Sequence, residues 1–156
     1  MTVEIERRFL LADDSWRKAA GEPLVLQQGY LSVEKERTIR VRIIGSQAWL
    51  TLKGYISDMT RSEFEYEIPL AHAQAMMADM CPFKMEKYRY RVEFEGFVYE
   101  IDEYFGDNAP LIVAEIELPS EDTEFPKPSW LDQEITSDGK FTNAYLSKHP
   151  YSSWTE

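Results

Sequence analysis

The stretch Thr2-Val3-Glu4-Ile5-Glu6-Arg7-Arg8-Phe9 alternates, with Glu4, Glu6 and Arg8 at one parity and Val3, Ile5 and Phe9 at the other. Successive side chains of a strand point to opposite faces, so this spacing predicts a strand that carries two carboxylates and a guanidinium side by side. Such a face suits a metal beside an anion. By itself it also reads as the solvated face of an antiparallel sheet, where polar and apolar residues ordinarily alternate.

The pattern recurs with one charge sign per strand. Thr38-Ile39-Arg40-Val41-Arg42-Ile43 puts Arg40 and Arg42 on one face, Trp49-Leu50-Thr51-Leu52-Lys53 ends in a lysine, and Arg61 to Ile68 carries Glu63, Glu65 and Glu67 in a row. Lys87-Tyr88-Arg89-Tyr90-Arg91-Val92 is a basic row, and Val113 to Leu118 carries Glu115 and Glu117. Like charges side by side repel and weaken a sheet, so an ordinary solvent face mixes signs. Segregated acidic and basic rows point to a purpose.

Those rows select an architecture. About eight long strands manage their edges as a sandwich or as a closed barrel. A face holding Glu4, Arg40, Lys53, Glu63, Lys87 and Glu115 is too polar for the dry core of a sandwich, because buried charge requires pairing or metal. The expectation is a mainly β (α+β) fold: an eight-stranded antiparallel tunnel barrel with a wet, charged interior. Its apolar exterior, including Ile39, Val41, Ile43 and Ile116, then needs a few covering helices or a second subunit.

Helix signals are few. Asp13-Asp14-Ser15 offers N-caps for a short helix through Trp16 to Ala20, Ala71 to Met80 is helix-like before Pro82, and Thr142 to Lys148 forms another short segment. Met76, Met77 and Met80 read as core packing residues. Gly45 and Gly96 mark hairpin turns.

Composition narrows the function. The 156 residues are expected to form one domain spanning 1–156, and a net charge of -11 disfavours nucleic acid and anionic membrane as partners, so basic residues must act locally. The single cysteine, Cys81, excludes an internal disulfide framework and reads as a buried structural thiol. His72 and His149 lack metal-ligand spacing and read as surface or capping residues. No apolar run spans a bilayer and no signal-peptide layout opens the chain, so a cytoplasmic location is expected. Neither a G-x-x-x-x-G-K-[ST] loop nor a G-x-S-x-G elbow occurs, so any phosphate must be held by side chains and acyl transfer has no support. Carboxylates suit Mg²⁺ or Mn²⁺, and Arg and Lys suit phosphate oxygens, so a lumen holding both signs matches a metal-bound polyphosphate.

Taken in order, Glu4-Ile5-Glu6-Arg7-Arg8, Arg40-Val41-Arg42, Thr51-Leu52-Lys53, Arg61 to Glu65, Glu86 to Tyr90, Asp102 and Glu115-Ile116-Glu117 resemble the motifs of the CYTH superfamily, the triphosphate tunnel metalloenzymes. The resemblance implies an eight-stranded tunnel that binds a triphosphate with Mg²⁺ or Mn²⁺. It implies that Glu4, Glu6, Glu115 and Glu117 bind metal or position water, with Glu63, Glu65 and Asp102 as further metal candidates. Arg8, Arg40, Arg42, Lys53, Lys87 and Arg89 would then contact phosphate, with Glu4, Glu6, Arg8 and Lys87 closest to the chemistry. Arg8 stands where the family signature has lysine, a planar fork in place of a point charge. Gln28-Gly29-Tyr30-Leu31 resembles the family's second strand, and Thr136 to Asn143, with Lys140, its closing region. The activity implied is hydrolysis of inorganic triphosphate or nucleoside triphosphate. A class IV adenylyl cyclase, a thiamine triphosphatase and a noncatalytic polyphosphate-binding protein are the alternatives, and a homodimer is a possible assembly.

Overall fold

A computed structural model describes residues 2–154. Its strands are β1 (Val3–Leu11), β2 (Leu24–Glu34), β3 (Arg37–Ile44), β4 (Gln47–Tyr55), β5 (Thr60–Ile68), β6 (Phe83–Phe94), β7 (Phe97–Tyr104), β8 (Ile112–Glu117) and β9 (Leu131–Glu134), and its α-helices are α1 (Leu70–Asp79) and α2 (Asn143–Lys148). All pairings are antiparallel, in the order β5-β4-β3-β2-β6-β7-β8-β1-β9, and β5 also pairs with β1. That last pairing closes β1 to β8 into the expected eight-stranded barrel.

The closure is short. Only Val3, Ile5 and the residue between them face β5; from there the Glu6 amide bonds to the Met59 carbonyl, and farther along the same edge β9 pairs with Phe9 and Leu11. The four-residue β9 thus covers the stretch of β1 that β5 leaves free, which answers the edge problem without lengthening the barrel.

Register sets the faces. Arg8 lies opposite Glu115, Glu115 opposite Glu100, Asp102 opposite Arg89, Arg40 opposite Thr51, and Thr51 opposite Glu65. Directly opposed residues share a face, so the charged rows all line one surface of the closed sheet. The apolar residues therefore face outward and need cover. Phe9, Val92, Tyr99, Ile101, Ala114 and Ile116 pack against Trp16, Leu118 and Trp130, while Val41, Ile43 and Ala48 pack beneath α1 against Ala73 and Cys81. A third apolar group lies at one end of the barrel, where Met85, Tyr104 and Val113 from the inner face meet Leu146 of α2 and Ile135. This end carries an apolar stopper.

Local details follow from the cover each segment provides. The stretch Ser15–Ala19 forms a 3-10 turn rather than an α-helix; Asp13 Oδ1 accepts from the Ser15 amide at 2.8 Å, and fully buried Trp16 sets the turn against the barrel. Met76 and Met77 pack against the sheet as expected, but Met80 is 57% exposed, because it sits at the C-cap where the chain leaves the packed face. His72 and His149 are exposed, and Cys81 is a buried free thiol. Among the described residues no helix is long and apolar enough to cross a membrane.

Gly29 allows α1 to approach β2 closely. A Cβ built there would lie 2.6 Å from Met77 Sδ and 2.9 Å from both Cβ and Sγ of Cys81. Gly29→Ala should therefore destabilise the protein by about 1–3 kcal/mol, seen as a lower denaturant midpoint at unchanged m-value. Shortening the flexible neighbour in Gly29→Ala/Met77→Ala should restore part of the loss; an unchanged midpoint for Gly29→Ala alone would contradict this packing.

Candidate active site

Arg40 and Arg42 of β3, Lys87 and Arg89 of β6, Arg8 of β1 and Lys53 of β4 gather in the barrel, whereas Arg37, Lys84 and Arg91 of the same strands are exposed. Lys87 is fully buried, its ammonium 2.6 Å from Asp102 Oδ2 and 3.2 Å from Asn143 Oδ1. Arg89 clamps the same carboxylate with two bonds of 2.8 and 2.9 Å and reaches Glu115 and Glu100 at 3.5 Å each. One carboxylate thus serves two cations. Burial works to raise the Asp102 carboxyl, but Arg89 and Lys87 outweigh it and hold it well below the usual range. Burial pulls Lys87 down to about 7, against the opposing pull of Asp102.

The remaining cations are poorly paired. Arg42 Nε donates to Gln28 Oε1 at 2.7 Å, a neutral partner, and burial with Arg40 and Arg89 nearby lowers it to about 9, so it stays a cation at neutral pH. Arg40 reaches Thr51 at 3.3 Å and Glu65 at 3.6 Å, while Arg8 approaches Glu115 only to 3.9 Å. Both are buried, and among the described residues Arg8 Nε and Nη2 and Arg40 Nε have no hydrogen-bond partner. Leaving a buried charged donor unmet costs its desolvation in full, so these groups have unused capacity for an acceptor.

The carboxylates show the complementary deficit. Lys53 stands between Glu4 and Glu63, at 2.8 and 3.5 Å. Burial would raise Glu4, but Lys53 and Arg40 bring it below its ordinary value. Glu6, opposite Glu117 across β1 and β8, is less well compensated; burial, then Glu115 and Glu4, outweigh Lys53 and Arg8 and push it up to about 8. Burial and neighbouring glutamates likewise raise Glu63 and Glu117. These are hard oxygen donors short of positive charge, the kind of set that takes a divalent cation. Among the described residues no group of three or more carboxylate, histidine or cysteine side chains is already gathered tightly enough to hold a metal, so the fit is one of chemistry and neighbourhood.

A cavity of about 660 Å³ reaches part of this set. Glu4, Glu6, Arg8, Arg40 and Lys53 line it, together with residues of the β2–β3 turn, Asp58, Met59 and Arg61, and residues from the segment Thr136 to His149. Lys140, exposed and with its ammonium over the Trp154 ring, lines it too, as does Tyr30. Of the residues named from sequence, Glu4, Lys53 and Glu63 form one ion-pair group; Arg8, Lys87, Arg89, Asp102 and Glu115 form another. Gln28, Thr51 and Asn143 lie within segments that carry the family resemblance but had no role assigned, and Glu100 and Tyr104 were not named. Strand parity with Asp102 was the signal for Glu100 and Tyr104, and parity with Lys53 was the signal for Thr51. Nothing local marked the Asn143 side chain as facing inward.

Comparison with known proteins agrees with the geometry. The CYTH domain profile matches residues 2–145. An inorganic triphosphatase of Acetivibrio thermocellus is 39% identical over 157 residues, covering the whole of both chains, and one of Nitrosomonas europaea is 31% identical over 149 residues, covering 93% of this chain and 97% of its own. A crystal structure of an inorganic triphosphatase superposes with a TM-score of 0.66 at 30% identity, covering 94% of this chain and 95% of that one.

Asp102 holds the basic wall in place. Asp102→Ala would leave Lys87 and Arg89 buried without their shared carboxylate and should cost about 3–5 kcal/mol in denaturant unfolding. Because its folded carboxyl titrates below the unfolded value of about 3.9, its contribution is complete above that pH and disappears as pH falls through the folded value. The variant's acid-unfolding limb below about pH 4 should be shallower than that of the unmodified protein; an equal limb would remove Asp102 from this role.

Proposed function

The chain belongs to the CYTH domain family, and we propose that it is a divalent-metal-dependent triphosphatase that hydrolyses inorganic triphosphate to pyrophosphate and phosphate. The observation that carries the reading is that Arg8 and Arg40, whose buried guanidinium groups include nitrogens without a hydrogen-bond partner, line one cavity together with Glu4 and the under-neutralised Glu6. Full-length identity of 39% to an inorganic triphosphatase supports the choice of substrate.

In this reading Arg8, Arg40, Arg42, Lys53, Lys87 and Arg89 hold the phosphate oxygens. The forks of the arginines give directional, charge-assisted bonds, and the Lys87 ammonium adds a point charge. Asp102 is assigned to anchoring Lys87 and Arg89 rather than to metal, since its oxygens are already taken. Glu4, Glu6, Glu115 and Glu117, with Glu63 and Glu65 beside them, would hold Mg²⁺ or Mn²⁺. When bound, that cation would neutralise charge on the transferred phosphoryl and leaving groups. A glutamate of this set orients the attacking water in line, and the fixed charges of the wall, already desolvated, need little reorganisation as the charge moves.

Three linked phosphates satisfy such a wall without a base or ribose being read. With Mg²⁺ or Mn²⁺ the protein should release phosphate from inorganic triphosphate with a higher kcat/KM than from ATP, lose that activity in chelator, and form no appreciable cyclic AMP. Arg40→Ala and Arg42→Ala should each lower triphosphate kcat/KM by roughly 30-fold or more, corresponding to about 2 kcal/mol or more of lost charge-assisted bonding, with the fold retained. Efficient conversion of ATP to cyclic AMP with triphosphate left intact would replace the hydrolase by the cyclase alternative; near-normal kcat/KM in both arginine variants would remove them from substrate binding.

A further inference from the structure

Asn143 is the first residue of α2, yet it does not cap that helix. The cap is Thr142, whose hydroxyl accepts from the Tyr145 amide at 3.2 Å. The Asn143 side chain turns into the barrel, where Oδ1 accepts from Tyr104 Oη at 2.6 Å and from Lys87 Nζ at 3.2 Å. An ammonium only donates, which fixes the amide with its oxygen toward Lys87 and its NH₂ directed elsewhere. Asn143 also lines the cavity. Lys87 is fully buried and Tyr104 is 2% exposed, so an apolar residue at 143 would leave two buried donors short of an acceptor.

From this juxtaposition we infer that Asn143 is a positioning residue for triphosphate binding, which acts by fixing the Lys87 ammonium that the proposed reading assigns to phosphate. An ammonium has three N–H bonds. Asp102 takes one and Asn143 a second, so the third is the one this proposal offers to a phosphate oxygen, and the Tyr104 ring centroid lies 5.5 Å from the ammonium. The other charges facing Lys87 are Arg89 on its own strand, Glu115 on β8 and Arg42 on β3, and none of these supplies the acceptor that Asn143 supplies. The closing segment of the chain thereby contributes directly to the arrangement of the binding wall. The inference rests on the proposed triphosphate reading. The plain structural alternative is that Asn143 merely anchors α2.

Calorimetric titration with inorganic triphosphate in chelator separates these ideas without requiring turnover. Asn143→Ala should weaken binding about tenfold or more, the scale of one charge-assisted hydrogen bond, but by less than about twofold in a Lys87→Ala background, because the residue acts through Lys87. Leu146→Ala loosens the apolar seat of α2 without touching Lys87; it should lower the melting temperature while leaving triphosphate affinity within about threefold. If Asn143→Ala fails to fold, Asn143→Ser takes its place in the same cycle. Equal losses in both backgrounds, no loss in the unmodified background, or a loss in Leu146→Ala matching that of Asn143→Ala would overturn the positioning role. Failure of the unmodified protein to bind triphosphate both in chelator and with Mg²⁺ would overturn the substrate reading as well, and so is distinguishable from failure of the cycle alone.

Discussion

The structure depends on an imbalance of desolvated charge inside a closed sheet. Lys87, Asp102 and Arg89 form a buried group that is well bonded, and it gives the basic wall a fixed point. Around it the pairing degrades: Arg42 has a neutral amide, Arg8 a carboxylate at 3.9 Å, and three guanidinium nitrogens have no hydrogen-bond partner. Glu6 forms no such pair, and burial, Glu115 and Glu4 outweigh Lys53 and Arg8 and push its carboxyl up to about 8. Pairs such as Lys53 with Glu4 and Arg89 with Glu115 relieve part of the imbalance, and a cavity of about 660 Å³ lies among Glu4, Glu6, Arg8, Arg40 and Lys53. A polyanion carrying a divalent cation supplies both missing charges together.

Holding such an interior open requires the apolar faces of the strands to be satisfied on the outside. Trp16, Trp130 and the chain from Leu118 cover one flank, α1 covers another, and α2 seals the inner apolar end with Leu146. The cover is incomplete over β4 and β5, where Leu52, Phe64 and Tyr66 are 37%, 42% and 57% exposed. The stability of the fold thus comes from its exterior layers, while the interior is left free to be electrostatically unfavourable when empty. Local rules broken inside the barrel and kept outside it are the mark of a functional site.

Strand parity made most of this legible. Period-two spacing needs no tertiary knowledge, so Glu4 with Glu6, Arg40 with Arg42, and Lys87 with Arg89 could be placed on one face, and their polarity argued for a barrel over a sandwich. Which carboxylate meets which cation is a matter of register between strands far apart in sequence: Lys53 meets Glu4 across 49 residues and Lys87 meets Asp102 across 15. Asp102 was grouped with the metal candidates because its strand gives no hint that two cations claim it. The β9 segment Leu131-Asp132-Gln133-Glu134 is too short and polar to announce a strand, and it forms because β1 offers a free edge. Met80 follows the helical run in sequence but falls just past the point where α1 leaves the sheet.

The account predicts where the substrate's oxygens must lie, and a crystal structure with inorganic triphosphate bound tests that directly. Phosphate oxygens should lie in the cavity within about 3.2 Å of the guanidinium groups of Arg8 and Arg40, which carry donors without partners. Triphosphate bound without contact to either guanidinium group would contradict the claim that the desolvated basic residues are built to receive it.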